Sequence, residues 1–265
     1  MTEKREKHFV LVHGSLHGAW CWYKVATLLR SEGHRVTALD SAACGINSKQ
    51  VQEVQSYTDY YEPLMQFMSN LPPDEKVILV GHSYGGYGVS IAMEAFPQKI
   101  AVAVFVAANM PGPDLTYLTI SQEIYNKVLV SFKEDVYTVN QSSDGQVISY
   151  ILKPEALASY LYQLSPTEDL TLATLLVRPH SSKADTNASE IVMVSKEKYG
   201  SVSRVYIVAD QDMLLPEEIQ RWMIQLNPPD EVKVIQGSDH MTMFSKPQEL
   251  SSCLLTIAQQ HCDKL

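Results

Sequence analysis

Apolar residues along the chain form two alternating patterns: short continuous runs, and longer segments with helical spacing. The short runs are rich in β-branched residues, which is typical of strands buried on both faces of a sheet. They cover residues 8–12, 35–39, 77–80, 100–107, 204–209 and 231–236. Helical spacing is found at residues 20–32, 57–68 and 87–95 and in segments that begin at Pro216 and Pro247. The alternation predicts an α/β fold with a mainly parallel, six-stranded sheet covered by helices on both faces.

This alternation stops between about residues 110 and 200, where no run has the composition of a buried strand. Two segments there have helical spacing. One begins at Pro154 and carries Leu157, Leu161 and Leu164. The other begins at residues 165–168, whose sequence Ser-Pro-Thr-Glu predicts a capping box with proline at the first helical position. An insertion at the carboxyl edge of a parallel sheet predicts a helical lid over a site at that edge.

Six of the tyrosines in the insertion could line an aromatic pocket. We expect one or two of them to contact a ligand and the others to pack against the protein or lie on its surface. They are Tyr117, Tyr125, Tyr137, Tyr150, Tyr160 and Tyr162.

Length and composition limit the class of protein. The 265 residues suffice for one domain, residues 1–265, with the lid at 110–200 inserted in it. A hydrophobic content of 45% and a net charge of −9 indicate a globular protein that binds neither nucleic acid nor an anionic membrane. The polar N-terminal segment lacks the features of a signal peptide, and the four cysteines show no metal-binding spacing. We therefore expect a cytoplasmic protein with reduced thiols.

The sequence GHSYGG, residues 81–86, lies between a predicted strand and a predicted helix. Gly-x-Ser-x-Gly in this context is typical of a nucleophile elbow, a sharp turn that strains the serine backbone and presents its hydroxyl. The alternative is a chance match in a loop, which the flanking strand and helix disfavour. Ser83 is the predicted nucleophile.

A base and an orienting acid are predicted at the ends of two later strands. Asp212 follows the strand at residues 204–209, and His240 follows the next one. Parallel strands bring such positions to one edge of a sheet, and the chain order Ser, Asp, His is that of the α/β-hydrolase fold. His240 would take the proton of Ser83, and Asp212 would hold the imidazole. Asp210 is the alternative acid, and Asp239 is predicted to be a turn residue.

The loop after the first strand, HGSLHGAW at residues 13–20, is where this fold supplies one backbone N–H of its oxyanion hole. The N–H groups of Ser15 and Tyr84 are the predicted pair. We interpret three nearby histidines as residues that shape the loops through hydrogen bonds. They are His13, His17 and His82.

Several blocks of the chain, among them HFVLVHG, HGAWCWYK, DEKVILVGHSYGG and SDHMTM, resemble the plant α/β-hydrolases of the methylesterase and hydroxynitrile lyase family. That family includes salicylate, jasmonate and auxin methyl ester hydrolases and polyneuridine aldehyde esterase. The resemblance implies the α/β-hydrolase fold, a triad of Ser83, Asp212 and His240, an oxyanion hole at Ser15 and Tyr84, and no cofactor or metal.

Lyases of the family carry threonine where this chain has Gly14 and lysine where it has Met241. The resemblance therefore implies hydrolysis, with Gly14, Leu16 and Met241 at the substrate pocket. Tyr84 departs from the usual leucine, which suggests a specialised substrate such as an indole alkaloid methyl ester. If that substrate were a β-oxo ester, the freed acid would then lose carbon dioxide.

The expected activity is that of a serine carboxylesterase acting on a small-molecule methyl ester through an acyl-enzyme. Two alternatives remain: a ligand receptor on a hydrolase scaffold with slow turnover, and a lyase or cyclase of specialised metabolism. A homodimer is compatible with the sequence, which offers no argument for it.

Overall fold

The computed structural model describes residues 6–128, 135–141, 147–185 and 188–262. Its centre is a six-stranded parallel sheet. The strands are β1 (His8–Val12), β2 (Arg35–Leu39), β3 (Val77–His82), β4 (Ile100–Val106), β8 (Arg204–Ala209) and β9 (Glu231–Ile235). They lie side by side in the order β2-β1-β3-β4-β8-β9. This arrangement confirms the predicted fold class.

Helices cover both faces of the sheet, as the helical spacing predicted. One face carries α1 (Tyr23–Ser31), the short α9 (Thr242–Ser245) and α10 (Pro247–Cys262), and the helices bury Val25, Leu29 and Leu254 there. The other face carries α2 (Tyr57–Asn70), α3 (Gly85–Ala95) and α8 (Glu217–Leu226). Every residue of β3 is buried, because helices pack against both of its faces. Among the described helices, none combines the length and the apolar character needed to cross a bilayer.

The insertion is not wholly helical, so the expectation of a helical lid was wrong in part. It contains α4 (Tyr117–Lys127) and a three-stranded antiparallel sheet of β5 (Val136–Gln141), β6 (Val147–Leu152) and β7 (His180–Ser181). Its short helices are α5 (Pro154–Ala156), α6 (Thr167–Leu176) and α7 (Ala188–Ile191). The strands escaped prediction because β5 exposes most of its side chains and therefore lacks a buried-strand composition.

Both predicted lid helices also begin or end differently. The segment from Pro154 continues as one π-helical stretch, Leu157–Leu161, and leaves Leu164 beyond it with 49% of its surface exposed. The next helix, α6, starts at Thr167, and Pro166 precedes it without a side-chain cap. The predicted capping box is absent because the Ser165 hydroxyl donates to Asp239 Oδ2 at 2.8 Å. A tertiary contact with the Asp239 carboxylate therefore replaces the predicted local cap.

Candidate active site

The turn between β3 and α3 has the strained backbone that a nucleophile elbow requires. Ser83 has φ of 54°, in the left-handed region that residues with a Cβ seldom adopt. Close packing holds the turn there: a Cβ on Gly85 would lie 2.6 Å from the carbonyl oxygen of His13. The glycine therefore lets α3 approach β1, and Ser83 lies at the carboxyl edge of the sheet.

Ser83, His240 and Asp212 meet in hydrogen-bonding order at this edge. His240 Nε2 lies 2.9 Å from Ser83 Oγ, and His240 Nδ1 lies 2.7 Å from Asp212 Oδ2. The carboxylate can only accept, so Nδ1–H donates to it and Nε2 is left to accept from the serine hydroxyl. Asp212 and His240 are both buried. The arrangement can remove a proton from Ser83 and stabilise the imidazolium that results.

The structure brings Asp212, and not Asp210, to the imidazole. The second oxygen of Asp212 accepts from the N–H groups of Leu214 and Leu215 at 2.8 and 2.7 Å, which fixes the orientation of the carboxylate. Asp210 Oδ1 instead accepts from Gly237 N–H at 2.7 Å. Asp210 therefore shapes the turn that follows β9.

The oxyanion hole is predicted at the backbone N–H groups of two residues. Ser15 and Tyr84 line the cavity into which Ser83 opens. The first loop is tightly held, since Leu16 has φ of 67° and its carbonyl oxygen accepts from Arg178 N–H at 2.9 Å. Beside it, a Cβ on Gly14 would lie 2.9 Å from Ser83 Cβ. A larger residue at position 14 would therefore press on the predicted nucleophile.

The three neighbouring histidines hold loops, as interpreted from the sequence. His13 Nδ1–H donates to Gly14 O at 2.6 Å, and His82 Nε2–H donates to the carbonyl oxygen of His240 at 2.8 Å. His17 lies between the Ser15 carbonyl, 2.9 Å from Nδ1, and the Tyr162 hydroxyl, 2.7 Å from Nε2. Burial lowers the pKa of His82 well below its usual value and that of His17 to about 3. Both imidazoles are therefore neutral at physiological pH.

Asp239 does more than the predicted turn residue would. Its buried carboxylate accepts from Leu164 N–H at 3.0 Å and the Ser165 hydroxyl at 2.8 Å, both in the insertion. Its other oxygen accepts from Met241 N–H at 3.1 Å. Burial raises the pKa of this carboxyl group. Asp239 thus ties the insertion to the loop that carries His240.

Above the triad lies a cavity of about 610 Å³, most of whose walls are aromatic or aliphatic. Tyr84 of the elbow and Tyr87 of α3 line it, together with the insertion residues Tyr117, Tyr125 and Tyr150. Three of the six insertion tyrosines named from the sequence therefore reach the cavity, where one or two were expected to contact a ligand.

Of the three residues predicted to line the substrate pocket, one is found in the cavity wall. Leu16 lines the cavity, whereas Gly14 and Met241 are not among its described lining residues. Met241 does not reach the cavity, because its side chain is fully buried in the core cluster on the α1 and α10 face of the sheet.

Sequence reasoning also missed Asn109, which follows β4 and lines the cavity. The only feature of the sequence that could have indicated a role for Asn109 is its place after the end of a predicted strand. No motif surrounds this asparagine in the sequence. Among the described residues, no cluster of three or more histidine, cysteine or acidic side chains is placed to hold a metal ion.

Comparison with known proteins shows the family to which this chain is similar. Residues 9–252 match the alpha/beta hydrolase family. The chain is 58% identical over 259 residues to methyl jasmonate esterase 1 of Vitis vinifera, covering 98% of this chain and 99% of that protein. It is 43% identical over 257 residues to polyneuridine aldehyde esterase of Rauvolfia serpentina, covering 96% of this chain and 97% of that protein.

Solved structures show the same likeness. Tomato methylketone synthase I complexed with 2-tridecanone superposes with a TM-score of 0.92 at 49% identity, covering 97% of this chain and 99% of that one. The chain therefore belongs to the alpha/beta hydrolase family. Within it, the chain belongs with the plant methylesterases, and the expectation of a carboxylic ester hydrolase is confirmed.

Proposed function

We propose that the protein is a serine carboxylesterase that hydrolyses a small, neutral methyl ester through an acyl-enzyme intermediate. The observation that carries this proposal is the chain of hydrogen bonds from Ser83 Oγ through His240 to Asp212, at the floor of a largely apolar cavity. A serine hydroxyl is a poor nucleophile at neutral pH unless a positioned base removes its proton.

In the proposed reaction, Ser83 Oγ attacks the ester carbonyl while His240 Nε2 takes the hydroxyl proton. The N–H groups of Ser15 and Tyr84 stabilise the oxyanion, and His240 then gives the proton to the methoxide oxygen, so that methanol leaves. Water enters, His240 removes its proton, and attack on the acyl-enzyme releases the carboxylic acid and restores Ser83. No cofactor takes part in these steps.

The cavity supports a neutral acyl group. Its described lining has no carboxylate, ammonium or guanidinium group, and the five tyrosines suit a ring or an unsaturated chain. The similarity to a methyl jasmonate esterase points the same way. An indole alkaloid ester is the second candidate, favoured by the similarity to polyneuridine aldehyde esterase. In that case a β-oxo acid product would lose carbon dioxide after its release.

The test is methanol release from purified protein with salicylate, jasmonate, indole acetate and indole alkaloid methyl esters. Ser83→Ala should lower kcat by about four orders of magnitude or more, because it removes the nucleophile. Its thermal unfolding should match that of the parent protein. Unchanged turnover in this variant would refute the mechanism. Mass spectrometry of the products would show whether the free acid persists or loses carbon dioxide.

The same assay separates the alternatives. Many turnovers per site are expected, whereas a receptor would give a single burst and a lyase would form product without consuming water. The likeness to methylketone synthase I makes a lyase outcome worth measuring. Reaction in water labelled with heavy oxygen distinguishes hydrolysis from a lyase reaction, because hydrolysis places the label in the carboxylic acid product.

A further inference from the structure

One polar side chain in the cavity has no role in the triad. Asn109 is 8% exposed and lines the cavity. Among the described residues, its carboxamide makes no hydrogen bond with the protein, yet its polar atoms are not sealed from the cavity. A carboxamide offers two N–H donors and one acceptor oxygen. Because the residue as a whole is more than nine-tenths buried, only the cavity can supply a partner for this carboxamide.

The backbone of Asn109 is fixed relative to the predicted nucleophile. Asn109 N–H donates to the carbonyl oxygen of Ser83 at 3.0 Å. The carbonyl oxygen of Asn109 faces α3, where a Cβ on Gly86 would lie 2.0 Å from it. Both backbone groups thus point into the protein, and the side chain is the part of Asn109 that reaches the cavity.

The preceding residues make this position rigid. Ala107 has φ of 43°, a strained turn that ends β4 and directs the chain toward the cavity. Ala108 is held on both sides by one hydroxyl: its N–H donates to Tyr206 Oη at 3.1 Å, and its carbonyl accepts from the same group at 2.8 Å. A side chain carried on such a backbone has a defined distance from Ser83.

In these surroundings, a carboxamide without a hydrogen-bond partner is energetically unfavourable. Tyr84, Tyr87 and Tyr117 line the same cavity, and a desolvated amide that lacks a partner there loses the hydrogen bonds it made in water. A bound ligand that fills the cavity removes the remaining water from Asn109. A ligand with an oxygen at the right place would restore the lost hydrogen bond, and one without it would not.

We propose that Asn109 is a specificity-determining residue, whose Nδ2–H donates to an oxo oxygen that the acyl group carries a few bonds from the ester carbonyl. The inference rests on the proposed function and narrows it. The preferred substrates are methyl esters of oxo acids, and the matching esters without the oxo oxygen are disfavoured because they leave the carboxamide unpaired.

Matched ester pairs test the proposal. Methyl levulinate is compared with methyl valerate, and methyl acetoacetate with methyl butyrate, so that each pair differs only in one oxo oxygen. The wild-type ratio of kcat/KM within at least one pair should favour the oxo ester by roughly ten- to a hundredfold. Asn109→Leu, of similar size, should bring that ratio close to the one that chemical reactivity alone gives. Asn109→Asp should do the same, because it removes the donor.

Asn70→Leu is the control, since Asn70 is exposed at the end of α2, away from the cavity. It should keep the wild-type ratio. If Asn109→Leu slowed both members of a pair equally, the carboxamide would serve the reaction or the fold, and the proposal would be overturned. A wild-type enzyme without preference for either oxo ester would overturn it as well. Absence of hydrolysis of every methyl ester would instead overturn the proposed function.

Discussion

The two halves of the insertion are attached to the core in different ways. The half from Pro154 to Ser181, which we call the anchored half, is tied by buried polar contacts. The half formed by α4, β5 and β6, which we call the roof, supplies much of the cavity wall. Its described ion pair to the sheet domain, Lys127 with Glu218, is exposed, and such pairs contribute little to stability.

The contacts of the anchored half end at the catalytic loops. Asp239 beside the base holds Leu164 and Ser165, and His17 in the first loop holds Tyr162. Farther along, the buried Asp169 pairs with Lys24, and the Arg178 guanidinium donates to three backbone carbonyls in the loop after β2.

The comparison separates two tasks. The anchored half contacts the loop that carries His240 and the loop after β1, so we expect changes there to affect stability and kcat. The roof lines the cavity, so we expect changes there to affect KM and selectivity. The predictions below test this division.

Asp239→Ala should have the largest effect. It removes the acceptor of three donors, two in the anchored half and one beside His240, and should lower the free energy of unfolding by about 2–4 kcal/mol. We expect kcat to fall roughly tenfold, because small displacements of a catalytic group are costly, while KM changes little. Urea unfolding and steady-state kinetics measure the two effects.

The matched roof variant is Asn140→Ala. It removes one hydrogen bond between β5 and β6, from Asn140 Nδ2 to Ser149 Oγ at 2.7 Å. The free energy of unfolding should drop by less than about 1.5 kcal/mol, and kcat should stay unchanged. Equal losses in the two variants would mean that the halves do not differ in this way.

His17→Gln should change the pH dependence of stability. The neutral His17 resists protonation in the folded protein, with a pKa of about 3 against 6.5 in the unfolded chain. As pH falls from 6.5 toward 3, the unfolded state binds a proton that the folded state does not, so stability is lost. The contribution of His17 to the slope of the free energy of unfolding against pH is at most about 1.4 kcal/mol per pH unit. The variant should therefore lose less stability over that window.

Urea unfolding at several pH values gives this slope. His17→Gln is compared with wild type at each pH, so that the other buried histidines contribute equally to both. If the two stability curves run parallel between pH 6.5 and 4, then His17 does not stay neutral in the folded protein.

Tyr125→Ala should have the smallest effect. Tyr125 of α4 lines the cavity with 43% of its surface exposed, and its ring would contact the substrate equally in the ground and transition states. KM should rise about three- to tenfold with kcat unchanged. Tyr137→Ala on β5 is the control, because Tyr137 is 53% exposed and is not among the described lining residues. A kcat loss in Tyr125→Ala would assign the roof a part in positioning the triad.

The sequence by itself determined the sheet domain and the places where its reactive groups stand. Buried parallel strands read as continuous β-branched runs, and the glycines around Ser83 mark a turn that few other residues could form. Asp212 and His240 follow strands, so the parallel sheet brings them to one edge whatever the details of packing. Local patterns suffice where backbone geometry alone places a residue.

Only the tertiary structure decided the insertion and the cavity. The strand β5 exposes most of its side chains, so its composition does not indicate a buried strand. The Ser165 hydroxyl donates to Asp239 instead of capping the helix that follows it. The position of Asn109 likewise depends on a residue distant in sequence, Tyr206, whose hydroxyl holds the backbone of Ala108. Such contacts depend on the three-dimensional packing of separate elements, and no periodicity along one segment encodes them.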